Sequence, residues 1–187
     1  MRKIVLFMHT TLDGFAAGPN GEMDWIHVDN EIFDYAGNQT DAADAALYGR
    51  VTFQMMDSYW PTAGDQPGAS KHDIEHSQWY KAVDKIVLSH TLEGNTVKRT
   101  TVISDKIHER ITGIKKQPGK NILIFGSPTA VQSLLRENLI DEIWFFVNPI
   151  VLGNGIPFFN GVDEQLKLKL ISSNVFSSGV VCLQYER

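Results

Sequence analysis

The chain has 187 residues, 43% of them hydrophobic and 21% charged, which suits one soluble globular domain over residues 1–187. Its net charge of −5 at pH 7 excludes a general electrostatic pull toward nucleic acid or an anionic membrane, so any bound phosphate must be held locally. The one cysteine, Cys182, excludes an intrachain disulfide and fits a reducing cytoplasm, and no apolar run is long enough to span a membrane.

Residues 3–8 are apolar and β-rich, and predict a buried central strand. The start is basic then apolar, but His9, Thr10 and Asp13 cut it short and no small-residue cleavage site follows, so it reads as a strand and not a signal peptide. Turn formers at 13–14 and 18–21 predict a loop. Ile32, Phe33 and Ala36 predict a helix over 29–38, capped by Asp29 or Asn30. A short strand is expected at 45–48, stopped by Gly49, then a helix over 51–59 with Phe53, Met56 and Tyr59 on one face. Residues 61–77 carry Gly64, Pro67 and Gly68 and predict the longest irregular stretch, a mobile surface loop. Strands follow at 85–88 and 101–103, then a helix over 104–116 striped by Ile107, Ile111 and Ile114. A very apolar strand is expected at 122–125, and Ser127 and Pro128 suit the N-cap and first position of a helix reaching about residue 138. A strand at 142–147 precedes two alternating runs, 166–176 and 180–185, expected to pair as an antiparallel hairpin. Alternating strands and helices followed by paired strands predict an α/β fold: a central, mostly parallel sheet with helices on both faces and an antiparallel C-terminal edge.

Twice a short apolar strand runs through a glycine into a helix, once at Gly49, Arg50, Val51 and Thr52 and again at Gly126, Ser127, Pro128 and Thr129. A helix N-terminus offers unpaired N–H groups and partial positive charge, and glycine lets an anion approach the backbone. Two such ends on one sheet edge can hold the diphosphate of a dinucleotide, with Arg50 adding a charge-assisted contact. Two ordinary strand–helix turns would read the same way, and neither segment matches GxGxxG or the P-loop pattern. Ser89, His90 and Thr91 end a third strand, where a hydroxyl and an imidazole can meet the extra phosphate of NADP or simply be solvated. His72 and His76 are four apart, but no third ligand has metal-site spacing, so no metal is expected. His9 reads as a core or cleft-wall histidine. Acid–base candidates cluster early, at Asp13, Asp24, Asp29, Glu31 and Asp34, most of them suited to caps and surface charge. Trp25 and Trp60 can stack on a flat ring or close the core edge.

Residues 11–17 (TLDGFAA), 48–53 (YGRVTF), 59–61 (YWP), 85–89 (KIVLS), 140–143 (IDEI) and 149–155 (PIVLGNG) stand in the order of one family. The set resembles the reductase domain of the bifunctional riboflavin-biosynthesis enzyme, the RibD C-terminal type, and the stand-alone bacterial proteins related to it and to dihydrofolate reductase. The resemblance implies a dihydrofolate-reductase-like three-layer fold and NADPH binding. By position it implies Ala16 and Ala17 near the nicotinamide, Gly49, Arg50, Val51 and Thr52 at the pyrophosphate, and Ser89 and His90 facing the adenosine 2′-phosphate. It places Gly126, Ser127, Pro128 and Thr129 on the second phosphate-facing turn. It also implies homodimers paired through the C-terminal strands. His90 stands where relatives often have Arg or Lys, which weakens the case for NADP over NAD. Aligning on Trp25 puts Asn30 where dihydrofolate reductases carry a pterin-binding carboxylate. The expected activity is NADPH-dependent reduction of a small molecule, in the manner of 5-amino-6-(5-phosphoribosylamino)uracil reductase. The alternatives are a dihydrofolate-reductase-like activity or a nucleotide-binding module without turnover. Asp13 and Asp34 are the candidate catalytic carboxylates.

Overall fold

Fifteen elements follow one another in the computed structural model, which describes residues 1–92, 98–161 and 165–187. They are β1 (Ile4–Thr11), β2 (Phe15–Ala17), α1 (Asn30–Asp41), β3 (Ala43–Gly49), α2 (Arg50–Ala63), α3 (Lys71–Ala82), β4 (Asp84–Leu88), β5 (Thr100–Ile103), α4 (Ile107–Lys116), β6 (Asn121–Phe125), α5 (Pro128–Arg136), β7 (Glu142–Asn148), β8 (Ile156–Pro157), β9 (Lys169–Val175) and β10 (Val181–Glu186).

Eight strands form one sheet in the order β5-β4-β3-β6-β1-β7-β10-β9. The first six are mutually parallel; β10 runs antiparallel to both β7 and β9. The antiparallel pair closes through Gly179, whose φ of 84° admits the tight turn after Phe176. Ile4, Val5 and Leu6 of β1 and Ile122, Leu123 and Ile124 of β6 are wholly buried, because these central strands are covered on both faces. On one face Ile4, Leu6, Ala45 and Leu47 pack with Ile111 of α4 and Val131 and Leu134 of α5. On the other, Val5 and Phe7 pack with Ile32 of α1, while Ala46 and Tyr48 pack with Phe53 of α2 and Tyr80 of α3. The result is the expected three layers. Among the described residues no helix is long and apolar enough to cross a membrane.

Three expectations need correction. Residues 61–77 are not one irregular loop: α2 runs through Pro61 to Ala63 and α3 starts at Lys71, leaving only 64–70 between them. Pro61 lies in the last turn of α2, where its missing N–H costs one intrahelical bond. A reciprocal cap launches α3: the Ser70 hydroxyl accepts from the Asp73 amide, and the Asp73 carboxylate accepts from the Ser70 amide. The chain also contains a two-stranded lip, β2 with β8, that was expected as loop. It needs Gly155, because a Cβ there would lie 2.4 Å from the Ala17 carbonyl oxygen. Finally, Ser127 occupies the cap position of α5, yet its side chain makes no capping bond to that helix.

Candidate functional site

The site follows from the way the chain winds. β3 feeds α2 on one face of the sheet and its neighbour β6 feeds α5 on the other, so a crevice opens between the two helix starts. Register brings the starts level. Leu47 lies opposite Ile124 and Gly49 opposite Leu88, so Gly49, Gly126 and Ser89 all leave the sheet at the same edge. β1 continues four residues past the pairing of Phe7 with Phe125, to Thr11, now flanked only by β7. That overshoot puts His9 and Phe146 on the floor of a cleft of about 960 Å³. Its walls are α1 on one side and α2 with α3 on the other, and Ala16, Ala17 and Ile156 form its lip.

The two glycine turns are joined. The Ser127 hydroxyl accepts from the Gly49 amide at 3.1 Å and donates to the Phe125 carbonyl. Gly126 and Ser127 both have φ of 59°, a pair of left-handed residues that turns the chain sharply out of β6; the Gly126 amide donates to the Phe7 carbonyl. A Cβ on Gly126 would meet only Thr52 Cγ2, at 3.9 Å, so the space between the turns is open. Neither α2 nor α5 has a side-chain cap at its N-terminus. Their first N–H groups are therefore available to an anion from two helices at once. These features fit a diphosphate held by backbone donors.

Not every residue singled out in the sequence reaches the cleft. Ala16, Ala17, Asp34, Val51, Thr52, Gly126, Ser127 and Pro128 line it. Gly49 lies just behind, against Ser127 and Ala130. Arg50 extends into solvent and donates to Gln54, and Thr129 is exposed. Ser89 and His90 lie outside the cleft. The Ser89 hydroxyl accepts from the amides of Thr91 and Leu92, and His90 borders a shallow hollow with Ser104, Asp105 and Lys106. Asp13 is also outside: its carboxylate accepts from the Gly153 amide at 2.8 Å and the Leu152 amide at 3.3 Å. The Thr11 hydroxyl, ahead of those amides, holds its carboxyl below the usual carboxylate range. Asp34 stands at the rim, its side chain 73% exposed and 3.7 Å from Lys71. Trp60 lines the cleft from α2, whereas Trp25 turns its indole N–H to the Glu22 carbonyl.

The structure adds a cluster that spacing alone does not reveal. Phe33 of α1 stacks on His72 of α3 at 3.5 Å between centroids, and Trp60 of α2 lies 4.0 Å from His76. His9 lies flat on Phe146 at 4.8 Å. Burial pushes His9 down to about 4 and, with His72 nearby, His76 down to about 3; burial also lowers His72. Buried Asn148 organises the floor. Its Oδ1 accepts from the His27 amide, and its Nδ2 donates to the carbonyls of Thr10 and Phe146 and faces His9 Nδ1 at 3.3 Å.

The histidine shifts set a pH dependence. An unfolded histidine titrates near 6.5, while His9 and His76 stay neutral in the fold until far lower pH. The unfolded chain therefore binds more protons below about 6.5, and stability falls as pH drops from there toward 4; above 6.5 these groups add nothing. Urea unfolding midpoints are expected to decline between pH 7 and pH 5. Equal midpoints would contradict the neutral buried rings.

Comparison with known proteins agrees with this architecture. Dihydrofolate reductase from Enterococcus faecalis, solved with NADP(H), superposes with a TM-score of 0.63 at 17% identity, over 99% of this chain and 96% of that one. The fold is dihydrofolate-reductase-like. Residues 2–182 match the RibD C-terminal domain, and the chain belongs to that family. A Shewanella sp. PV-4 protein, provisionally assigned to riboflavin biosynthesis, superposes with a TM-score of 0.74 at 25% identity, over 100% of this chain and 99% of that one. The uncharacterized protein YyaP of Bacillus subtilis is 35% identical, with 98% of this chain and 94% of YyaP aligned.

Proposed function

We propose that this chain is a reductase that uses NADPH to reduce a small molecule. The observation that carries the reading is the pair of uncapped helix N-termini, tied together by the Ser127–Gly49 hydrogen bond and open to the cleft. The amides of Gly49, Arg50, Val51 and Thr52 and of Gly126, Ser127 and Thr129 would hold the diphosphate; Pro128 adds shape but no donor. Ala16 and Ala17 would border the nicotinamide, since they form the lip beside the floor of the cleft. Ser89 and His90, one strand over at the same edge, would face the adenosine 2′-phosphate, with Lys106 across the same hollow. When bound, NADPH supplies the hydride. The protein's share is orientation and exclusion of water by the aromatic walls. Asp34 is the candidate carboxylate at the cleft rim. Asp13 is assigned a positioning role, holding the 152–153 amides against the end of β1.

Fluorescence titration tests this reading. NADPH is expected to bind at roughly micromolar Kd, about −8 kcal/mol, and more tightly than NADH. Oxidation of NADPH is then expected with one of a panel of pterins, ribosylaminopyrimidines and aldehydes. Absence of binding at about 1 mM NADPH rejects the coenzyme; tight binding without oxidation favours a nucleotide-binding module.

We also propose that two copies pair along β9. This edge strand leaves Leu170, Ile171 and Val175 more than half exposed, an apolar edge that a monomer would be expected to blunt. Light scattering is expected to give twice the chain mass, and Ile171→Lys to give the monomer. A monomeric parent protein would reject the pairing.

A further inference from the structure

We infer that the half of the cleft between α1 and α2–α3 takes a flat, uncharged ring bearing a hydrogen-bond-accepting carbonyl or ring nitrogen, and not a sugar phosphate. This rests on the coenzyme reading above, which assigns both helix N-termini to the dinucleotide and so leaves them unavailable to a substrate phosphate.

The first support is charge. Lys71 is the one lysine or arginine lining the cleft among the described residues. It lies 3.7 Å from Asp34 and 3.9 Å from Glu75, and both carboxylates line the same cleft. A phosphate entering there meets one cation already shared by two anions. The deeper imidazoles add no positive charge, since burial keeps His9 and His76 neutral. A dianion would lose its hydration without an ionic partner, a cost that grows with burial.

The second support is surface chemistry. Met55, Met56 and Trp60 face Ile32 and Phe33 across the cleft, above a floor of Phe146 and His9. Thioether and aromatic groups favour a polarisable planar ligand. Gly37 lines the cleft from the middle of α1, and a Cβ there would meet nothing within 4 Å. That missing side chain widens the cleft where a ring can lie.

The third support is a single polar handle. Asn148 is oriented by accepting the His27 amide through Oδ1, so its Nδ2 faces His9 Nδ1. Nδ1 then accepts, and the ring proton resides on Nε2. Among the described residues Nε2 makes no hydrogen bond, so it offers one N–H donor on an otherwise apolar floor. A ligand carbonyl or ring nitrogen satisfies it; a saturated hydrocarbon does not.

The test uses two coumarins on the intact protein saturated with NADPH. Calorimetry compares uncharged 7-methoxy-4-methylcoumarin with 4-methylumbelliferyl phosphate. The uncharged coumarin is expected to bind at least about tenfold more tightly. Gly37→Leu fills the open face of α1 with a better helix former, so its melting temperature is expected to hold or rise. It is expected to weaken the coumarin at least about tenfold while NADPH affinity stays within about twofold. His9→Phe keeps the flat floor but removes the donor, and is expected to weaken the coumarin about fivefold while NADPH affinity is retained. Equal or tighter binding of the phosphate, or unchanged coumarin binding by Gly37→Leu, overturns the inference whatever NADPH does. Failure of the parent protein to bind NADPH overturns the coenzyme reading instead, whatever the coumarins do.

Discussion

Gly49→Val is expected to weaken NADPH binding on the order of 100-fold, about 3 kcal/mol, while the protein still folds. The backbone at Gly49 is ordinary extended chain, with φ of −79° and ψ of 163°, so valine brings no backbone strain. Its Cβ would sit 3.5 Å from Ala130 Cβ and 3.8 Å from Ser127 Cβ, which are normal contacts. The two γ-methyls are what the site cannot absorb. They press on Ser127, break the bond that ties the two turns, and move the amides that would face the diphosphate. Overpacking of this kind costs about 1–3 kcal/mol, a loss of a few degrees in Tm for a chain of this size. Gly49→Ala, with only the Cβ, is expected to stay near the parent in both measurements. NADPH affinity unchanged in Gly49→Val, by fluorescence titration, would reject the phosphate assignment.

Asn148→Ala is expected to destabilise the protein by about 3 kcal/mol and lower Tm by roughly 6–12 °C. Asn148 is 1% exposed and joins three segments: β1 through the Thr10 carbonyl, β7 through the Phe146 carbonyl, and the approach to α1 through the His27 amide. Alanine leaves those buried polar groups without partners, each worth about 1–3 kcal/mol before any relaxation. The loss spreads to the cleft wall, because His27 contacts Asp29, whose carboxylate caps α1 at the Ile32 amide. Asn148→Asp keeps the acceptor for His27 but cannot donate to two carbonyls, and is expected to be at least as damaging. Thermal or urea unfolding measures both; a change below about 1 kcal/mol would show that the hub is not needed.

The layered sheet was readable because its signals are local. The apolar runs of β1 and β6 announce strands covered on both faces, and Asp29 announces the start of α1. The two glycine turns were readable as anion sites for the same reason: strand, glycine and helix are contiguous. Helix α3 was missed because its inward face is built from Ser77, Trp79 and Tyr80 with His76, a pattern that looks polar by composition. The Ser70–Asp73 cap was the signal that could have found it. The floor of the cleft was hidden for another reason. His9 becomes a wall only because β1 outruns β6, and Asn148 becomes a hub only through partners 121 to 139 residues away. Asp13 suited a catalytic carboxylate in isolation; its engagement with the 152–153 amides depends on a contact across the whole chain.

The central claim is that one dinucleotide lies across both helix starts. Amide chemical-shift mapping of the isotopically labelled protein during NADPH titration tests it most directly. Gly49, Arg50, Val51 and Thr52 and Gly126, Ser127 and Thr129 are expected to shift together, along one binding curve. Shifts confined to one of the two turns, or located elsewhere on the chain, would contradict it.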